Sequence, residues 1–176
     1  MDNDDIFICS DCDEIANPAR FSELLEVVKE EKEKIVRLSM SMHYGRADRQ
    51  LVSPTGELFD WRCGIVSTVG RFKAFGTLSS MRASTENHYF GERDAGWHLS
   101  WMGDSDKRKT KLRSIAEYYI WDRPEVQKLC EDFEPEEGKT DMLGREDHLL
   151  TSYPVENLMP EAVKLERVKA YLLPDG

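Results

Sequence analysis

Apolar residues gather near the start of the chain in one unbroken run, Ile6-Phe7-Ile8-Cys9. A continuous run of this length predicts a short strand buried on both faces, as in the middle of a parallel sheet. The run stops at Ser10-Asp11-Cys12-Asp13-Glu14, and Asn17-Pro18 follows as a helix N-cap with proline at the first helical position. Phe21, Leu24, Leu25 and Val28 then recur at helical spacing, with lysines and glutamates on the wet side. From Ile35 to Tyr44 the period changes to two. Val36, Leu38, Met40 and Met42 share one face and Arg37, Ser39 and Ser41 the other, which predicts a strand. Ser53-Pro54-Thr55-Gly56 reads as a turn between two extended pieces, the second from Leu58 to Cys63. Gly64 to Phe72 predicts another strand. Lys73 to Glu92 has no clear period and is expected to be loop with one short helix.

Ala95 to Trp101 alternates again, this time with aromatic residues, and predicts a strand. Asp104 or Ser105 can cap a helix running to about Trp121, with Leu112, Ile115, Ala116 and Tyr119 inward. Asp122-Arg123-Pro124 interrupts it, and Val126, Leu129, Cys130 and Phe133 mark a second short helix. Strands alternating with helices make this an α/β domain over 1–150, with a mixed sheet flanked by helices. A loop-rich tail over 151–176 holds one weak helical stretch, Glu161 to Val168.

Charge narrows the partners. With 34 acidic against 24 basic residues the net charge is −10, so the chain should repel nucleic acid and anionic membranes. An anionic substrate bridged by a metal ion is still compatible, because the ion supplies the missing positive charge. No apolar stretch approaches the roughly 20 residues that span a bilayer, so no membrane span is expected. The first residues are acidic where a secretory signal is basic. Four cysteines in 176 residues make a poor disulfide framework, and the expectation is a cytoplasmic protein with reduced thiols.

Asp11-x-Asp13 lies just past the carboxyl end of a predicted strand, where open α/β sheets bind ligands. Two carboxylates two residues apart on a turn can converge on a hard divalent cation, Mn²⁺ or Mg²⁺, which in turn holds a diphosphate. The plainer alternative is that these acids cap the next helix. Cys9-x-x-Cys12 also sits between a strand and a helix, the setting of a thiol redox motif or half a zinc site. Against both, Asp11, Asp13 and Glu14 disfavour a thiolate, and Cys63 and Cys130 stand alone. His98 is a candidate third metal ligand or phosphate contact, or else a core imidazole. Trp61, Trp97 and Trp101 are candidate platforms for sugar rings, or else core. Asp94 and Glu117 are candidate general bases, or else surface acids. Lys107 to Arg113 is a basic face of the kind most often solvated.

Four stretches, in order, resemble the family 17 glycosyltransferases, the group of the β-1,4-mannosyl-glycoprotein N-acetylglucosaminyltransferase. DDIFICSDCDEIANP is similar to that family's strand with its Asp-x-Asp-Glu-Ile signature, and DAGWHLSWMGD to its Gly-Trp-His-x-Ser block. KLRSIAEYY falls where the family has a Lys and then a Ser-aromatic-Ala stretch, with Glu117 in place of a His and Tyr119 in place of an acid. EEGKTDMLGRED is similar to a later Gly-x-Asp-Leu-x-x-Arg segment.

The resemblance implies a GT-A-like, Rossmann-like fold. It implies Asp11 and Asp13 on a divalent ion that carries the diphosphate of a nucleotide sugar, UDP-GlcNAc above others, with His98 close by. It implies inverting transfer to a glycan acceptor, with Asp94 or Glu117 taking the hydroxyl proton. A GT-A domain places its base- and ribose-gripping part before the Asp-x-Asp strand, and here only Met1 to Ser10 precede Asp11. The expectation is therefore a chain lacking most of the nucleotide pocket, with a complementing N-terminal half or self-association as its partner. Two rival expectations are an inactive or split remnant serving as a binding module, and a thiol redox or zinc protein using Cys9 and Cys12.

Overall fold

The computed structural model describes residues 1–115 and 118–154. In chain order, β1 (Ile6–Cys9), β2 (Glu14–Ala16), α1 (Phe21–Glu30), β3 (Ile35–Leu38) and β4 (Met40–Tyr44) come first. Next are β5 (Arg46–Val52), β6 (Asp60–Trp61), β7 (Ile65–Thr68), α2 (Val69–Phe75), α3 (Leu78–Arg82) and β8 (Asn87–Phe90). Last are β9 (Gly96–Ser100), α4 (Ser105–Ser114), α5 (Tyr118–Trp121), α6 (Pro124–Asp132) and β10 (Leu149–Ser152). The protein is α/β, with mixed sheets flanked by helices. Among the described residues no helix is long and apolar enough to cross a membrane. By internal contacts the chain divides into two units, one of residues 1–41 and 60–98, the other of 42–59 and the described residues from 99 on.

The first unit is built on a four-stranded sheet of order β1-β7-β3-β8. β3 and β8 run parallel, whereas β1 and β3 each pair antiparallel to β7. Side-chain alternation sends successive residues of β3 and β7 to opposite faces. Val36, Leu38 and Val66 pack with Leu24 and Val28 of α1, while Ile35 and Ile65 pack with Met81 of α3 and with Phe72 and Phe75 of α2. A short antiparallel pair accompanies this sheet: β2 lies against the start of β9, with Glu14 opposite His98 and Ala16 opposite Gly96. In the second unit β10 pairs with β5 and β5 with the end of β4. There Arg108 of α4 is buried and donates to the carbonyl oxygens of Gly103 and Phe133, at 3.1 and 2.6 Å.

Several expectations change. β1 is an end strand paired antiparallel, with Ile8 40% exposed, rather than the doubly covered centre of a parallel sheet. The stretch from Ile35 to Tyr44 is two strands parted at Ser39, and its polar face is buried too. The Ser39 hydroxyl donates to Asp60 Oδ1 at 2.6 Å and accepts from the Arg93 amide at 2.8 Å, which accounts for a buried serine at the break. The strand from Gly64 stops at Thr68, whose hydroxyl accepts from the Arg71 amide and starts α2. The segment from Lys73 holds the end of α2, then α3 and β8. The helix capped by Asp104 ends at Ser114, and the basic face is not simply solvated: Arg108 is interior, while Lys109 pairs with Glu131. The expected helix at Glu161 to Val168, like Ala116 and Glu117, lies outside the described residues.

Candidate functional site

Asp11 to Glu14 form a turn between β1 and β2, closed by the Glu14 amide donating to the Asp11 carbonyl at 3.0 Å. The turn points its side chains three ways. Asp11 reaches solvent, and its Oδ1 accepts from Nη2 of Arg82 at 2.8 Å. Asp13 is directed at β9, where its Oδ2 lies 3.3 Å from Nε2 of His98. Glu14 points inward and is only 5% exposed; its carboxylate accepts from the Asp11 amide at 3.0 Å and from the indole N–H of Trp61. Burial, above all, pushes the Glu14 carboxyl above its ordinary pKa, although both hydrogen bonds pull the other way.

His98 is enclosed. Its side chain is 6% exposed, and the Trp61 ring stacks on it at 4.1 Å between centroids and 24° between planes. Trp61 thus fixes both the imidazole and Glu14. The Nδ1 of His98 is buried and finds no partner among the described residues.

A divalent cation is the cofactor expected from the Asp11-x-Asp13 motif. Two donors sharing one ion through bonds of about 2.1 Å stand about 3.0 Å apart when the bonds are perpendicular. The 3.3 Å between Asp13 Oδ2 and His98 Nε2 is the distance of a hydrogen-bonded carboxylate and imidazole, a little longer than that spacing. The third expected ligand, Asp11, is engaged by Arg82 instead. Among the described residues no three His, Cys, Asp or Glu side chains are gathered closely enough to hold a metal. Asp13 and His98 thus stand together without a third ligand, and Asp11 is turned away to Arg82.

The other expected site residues are placed as follows. Asp94 forms an ion pair with Arg20, and its backbone carbonyl accepts from Asn17 Nδ2 at 3.0 Å. Trp97 is 9% exposed, inside the core of its strand. Trp101 belongs to the second unit, with Lys111 Nζ 5.2 Å from its ring. Glu117 lies outside the described residues. The sequence offered no sign of Arg82, which sits in the stretch without a period and 71 residues from its partner. The Trp61–Glu14 clamp is equally hidden, since the sequence marks Trp61 only as an aromatic ring.

All four cysteines are free: Cys12 is exposed, Cys9 and Cys63 are half-buried and Cys130 is buried. Cys9 packs against Ile35, Ile65 and Met81, in keeping with a place in the core. Burial, and then the neighbouring Glu14 and Asp11, push the Cys63 thiol upward, and burial does the same for Cys130. Alkylation by iodoacetamide at pH 8 should therefore reach Cys12 first, with Cys63 slower by at least about tenfold. Peptide mass spectrometry over a time course reads this directly, and equal rates at the two sites would contradict it.

No family model, curated protein or solved structure matches the chain.

Proposed function

We propose that the chain is the metal-binding part of a GT-A-like glycosyltransferase. In this reading it transfers N-acetylglucosamine or a related sugar from a nucleotide sugar to a hydroxyl of a glycan acceptor. The observation that carries the reading is the 3.3 Å approach of Asp13 to His98, two residues 85 positions apart that the ordered resemblance had put in one site. Asp13 and His98 would hold the cation, with Asp11 as the further carboxylate. When bound, the cation neutralises charge that develops on a leaving diphosphate. The protein's own contribution is positional. Trp61 and the β2–β9 pairing keep the imidazole and the acidic turn in register. An acceptor hydroxyl also needs a base, for which Asp94 and Glu117 are the candidates; Asp94 would have to exchange its Arg20 partner for that proton. The outer edge of β1, with Ile8 exposed, is where a complementing strand or a second copy could add.

Arg82's hold on Asp11 favours a second reading, a binding module without turnover. Calorimetry decides whether either kind of site exists. Wild type titrated with UDP-GlcNAc in Mn²⁺ should bind, chelation should abolish the binding, and Asp13→Ala should weaken it by at least about tenfold. Absence of metal-dependent nucleotide binding by the wild-type chain would remove the glycosyltransferase reading. Binding without transfer to any glycan acceptor would favour the module.

A further inference from the structure

β1 is an end strand of its sheet, and the hydrogen bonds around it settle which of its backbone groups face outward. The Val69 amide donates to the Asp5 carbonyl at 2.8 Å, which makes Asp5 and Val69 a hydrogen-bonded pair in the β1–β7 register. In an antiparallel ladder such pairs alternate with pairs whose N–H and C=O groups turn away. Phe7 and Cys9 therefore bond to β7, and Ile6 and Ile8 point theirs to the open side. The far side of β7 has the same parity. The Leu38 amide donates to the Gly64 carbonyl at 2.9 Å, so Val66, opposite Ile8, bonds to β3 and not to β1. Among the described residues nothing hydrogen-bonds to the outward groups of Ile6 and Ile8. The Ile8 side chain, 40% exposed, shares a face with Ile6, which packs against the cluster that includes Leu24 and Val66.

We propose that the outer edge of β1 binds an extended cationic segment of another protein. Such a segment adds as a further strand, sets an apolar side chain beside Ile8 and carries Lys or Arg on either side of it. The outward N–H and C=O groups of Ile6 and Ile8 fix the partner's extended conformation, because only a strand matches their spacing. Ile8 supplies an apolar contact across the new pair. Charge selects the sign. Residues 1–19 hold five aspartates and one glutamate, and no lysine or arginine. Asp2, Asp4 and Asp5 stand exposed at one end of β1, and Asp11 at the other. Lys32 lies 3.4 Å from Asp4 and Arg82 lies 2.8 Å from Asp11, while Asp2 and Asp5 meet no cation among the described residues. The same charges oppose a second copy. An antiparallel copy that pairs Ile6 with Ile8 sets Asn3 against Asp11, with Asp2 and Asp4 next to the contact. A parallel copy in register lines up each aspartate with its twin, and like charges across a strand pair destabilise it. The edge serves a cationic partner whether or not the chain transfers a sugar.

Three labelled peptides test this on the full chain, with binding read by fluorescence anisotropy and the edge read by amide hydrogen exchange. The first is Lys-Lys-Thr-Val-Thr-Val-Lys-Lys. The second replaces its lysines with glutamates, and the third replaces its central Val-Thr with two prolines. The lysine peptide should bind, and at saturation it should slow exchange of the Ile6 and Ile8 amides by at least about tenfold. Phe7 and Cys9, already bonded to β7, should exchange as before. The glutamate and proline peptides should bind at least about tenfold more weakly. Ile8→Pro removes an outward donor without touching a bond to β7, so the fold should hold while the lysine peptide weakens by at least about tenfold. Asp2→Asn, Asp4→Asn and Asp5→Asn combined change only exposed carboxylates, and keep the edge testable if Ile8→Pro does not fold. That variant should lose about tenfold in affinity for the lysine peptide, and the loss should shrink as salt is raised. No binding of the lysine peptide, equal binding of the glutamate peptide, or binding that leaves Ile6 and Ile8 exchange unchanged would each overturn the site. Protection of those two amides that grows with protein concentration alone would overturn it in favour of a second copy.

Discussion

Gly96→Ala is expected to destabilise the chain by about 3 kcal/mol and to part Asp13 from His98, although it adds a single methyl group. A Cβ on Gly96 would fall inside the envelope of the Ile15 carbonyl oxygen and only 3.1 Å from the Ala16 Cα. Both obstacles are backbone, so no side chain can swing aside. Relief has to come from parting β2 and β9, and in that pairing Glu14 faces His98. The 3.3 Å approach of Asp13 to His98 is lost with the register. Gly76→Ala is the control. It has open space around its Cβ but a φ of +74°, so only the conformational penalty of about 1 kcal/mol applies. Urea unfolding of the two variants separates steric from conformational cost. A Gly96→Ala midpoint no lower than that of Gly76→Ala would refute the steric account.

The same pairing shows what a sequence can disclose. Features settled by neighbours in the chain were legible. Asn17 caps the turn at Pro18–Arg20 through its side chain, Asp104 caps α4 by accepting from the Lys107 amide, and the alternation of Gly96–Ser100 is a strand. Features settled across the fold were not. The run Ile6–Cys9 has the same apolar pattern whether a strand is central or at an end, and only the pairing with β7 shows it to be an end strand. Asn87–Phe90 shows no clean alternation because its structure depends on the parallel partner β3, about fifty residues earlier. The break at Ser39 follows from hydrogen bonds with Asp60 and Arg93, both distant in sequence. Val66, Thr68 and Val69 favour a strand locally, yet the Thr68 cap begins a helix there.

The site divides along the same line. Asp11, Asp13 and His98 were named from motifs, and the β2–β9 register brings the last two together. The residues that tune them were not named, because an arginine in an aperiodic stretch and a tryptophan among several carry no local mark. Arg82 acquires meaning only through Asp11, and Trp61 only through Glu14 and His98. Long-range electrostatic partners leave no spacing rule for a reader of the sequence to apply.

Glu14→Ala should cost about 3 to 4 kcal/mol, the largest loss expected from any single truncation in the acidic turn. The residue is 5% exposed, and removing its carboxylate leaves the indole N–H of Trp61 and the amide of Asp11 without acceptors in the interior. A void also opens beside Gly64, whose Cα hydrogen faces the Glu14 Oε2. Glu14→Gln keeps the volume and one acceptor but turns an NH₂ group toward the second donor, so its loss should be smaller, about 1 to 2 kcal/mol. The two differ in pH dependence as well. Burial raises the Glu14 carboxyl in the folded chain, so the folded state binds its proton more tightly than the unfolded state does. The stability from this proton is full below the unfolded pKa and is lost as pH rises through the folded value. Wild-type stability should therefore fall over that interval, upward from the ordinary carboxylate range, while the glutamine variant lacks the decline. The gap between wild type and Glu14→Gln in urea unfolding should shrink as pH is raised from about 4 to 7. A gap that widens instead would mean that the two N–H donors outweigh burial, and that Trp61 holds Glu14 as a carboxylate ready to act beside Asp13.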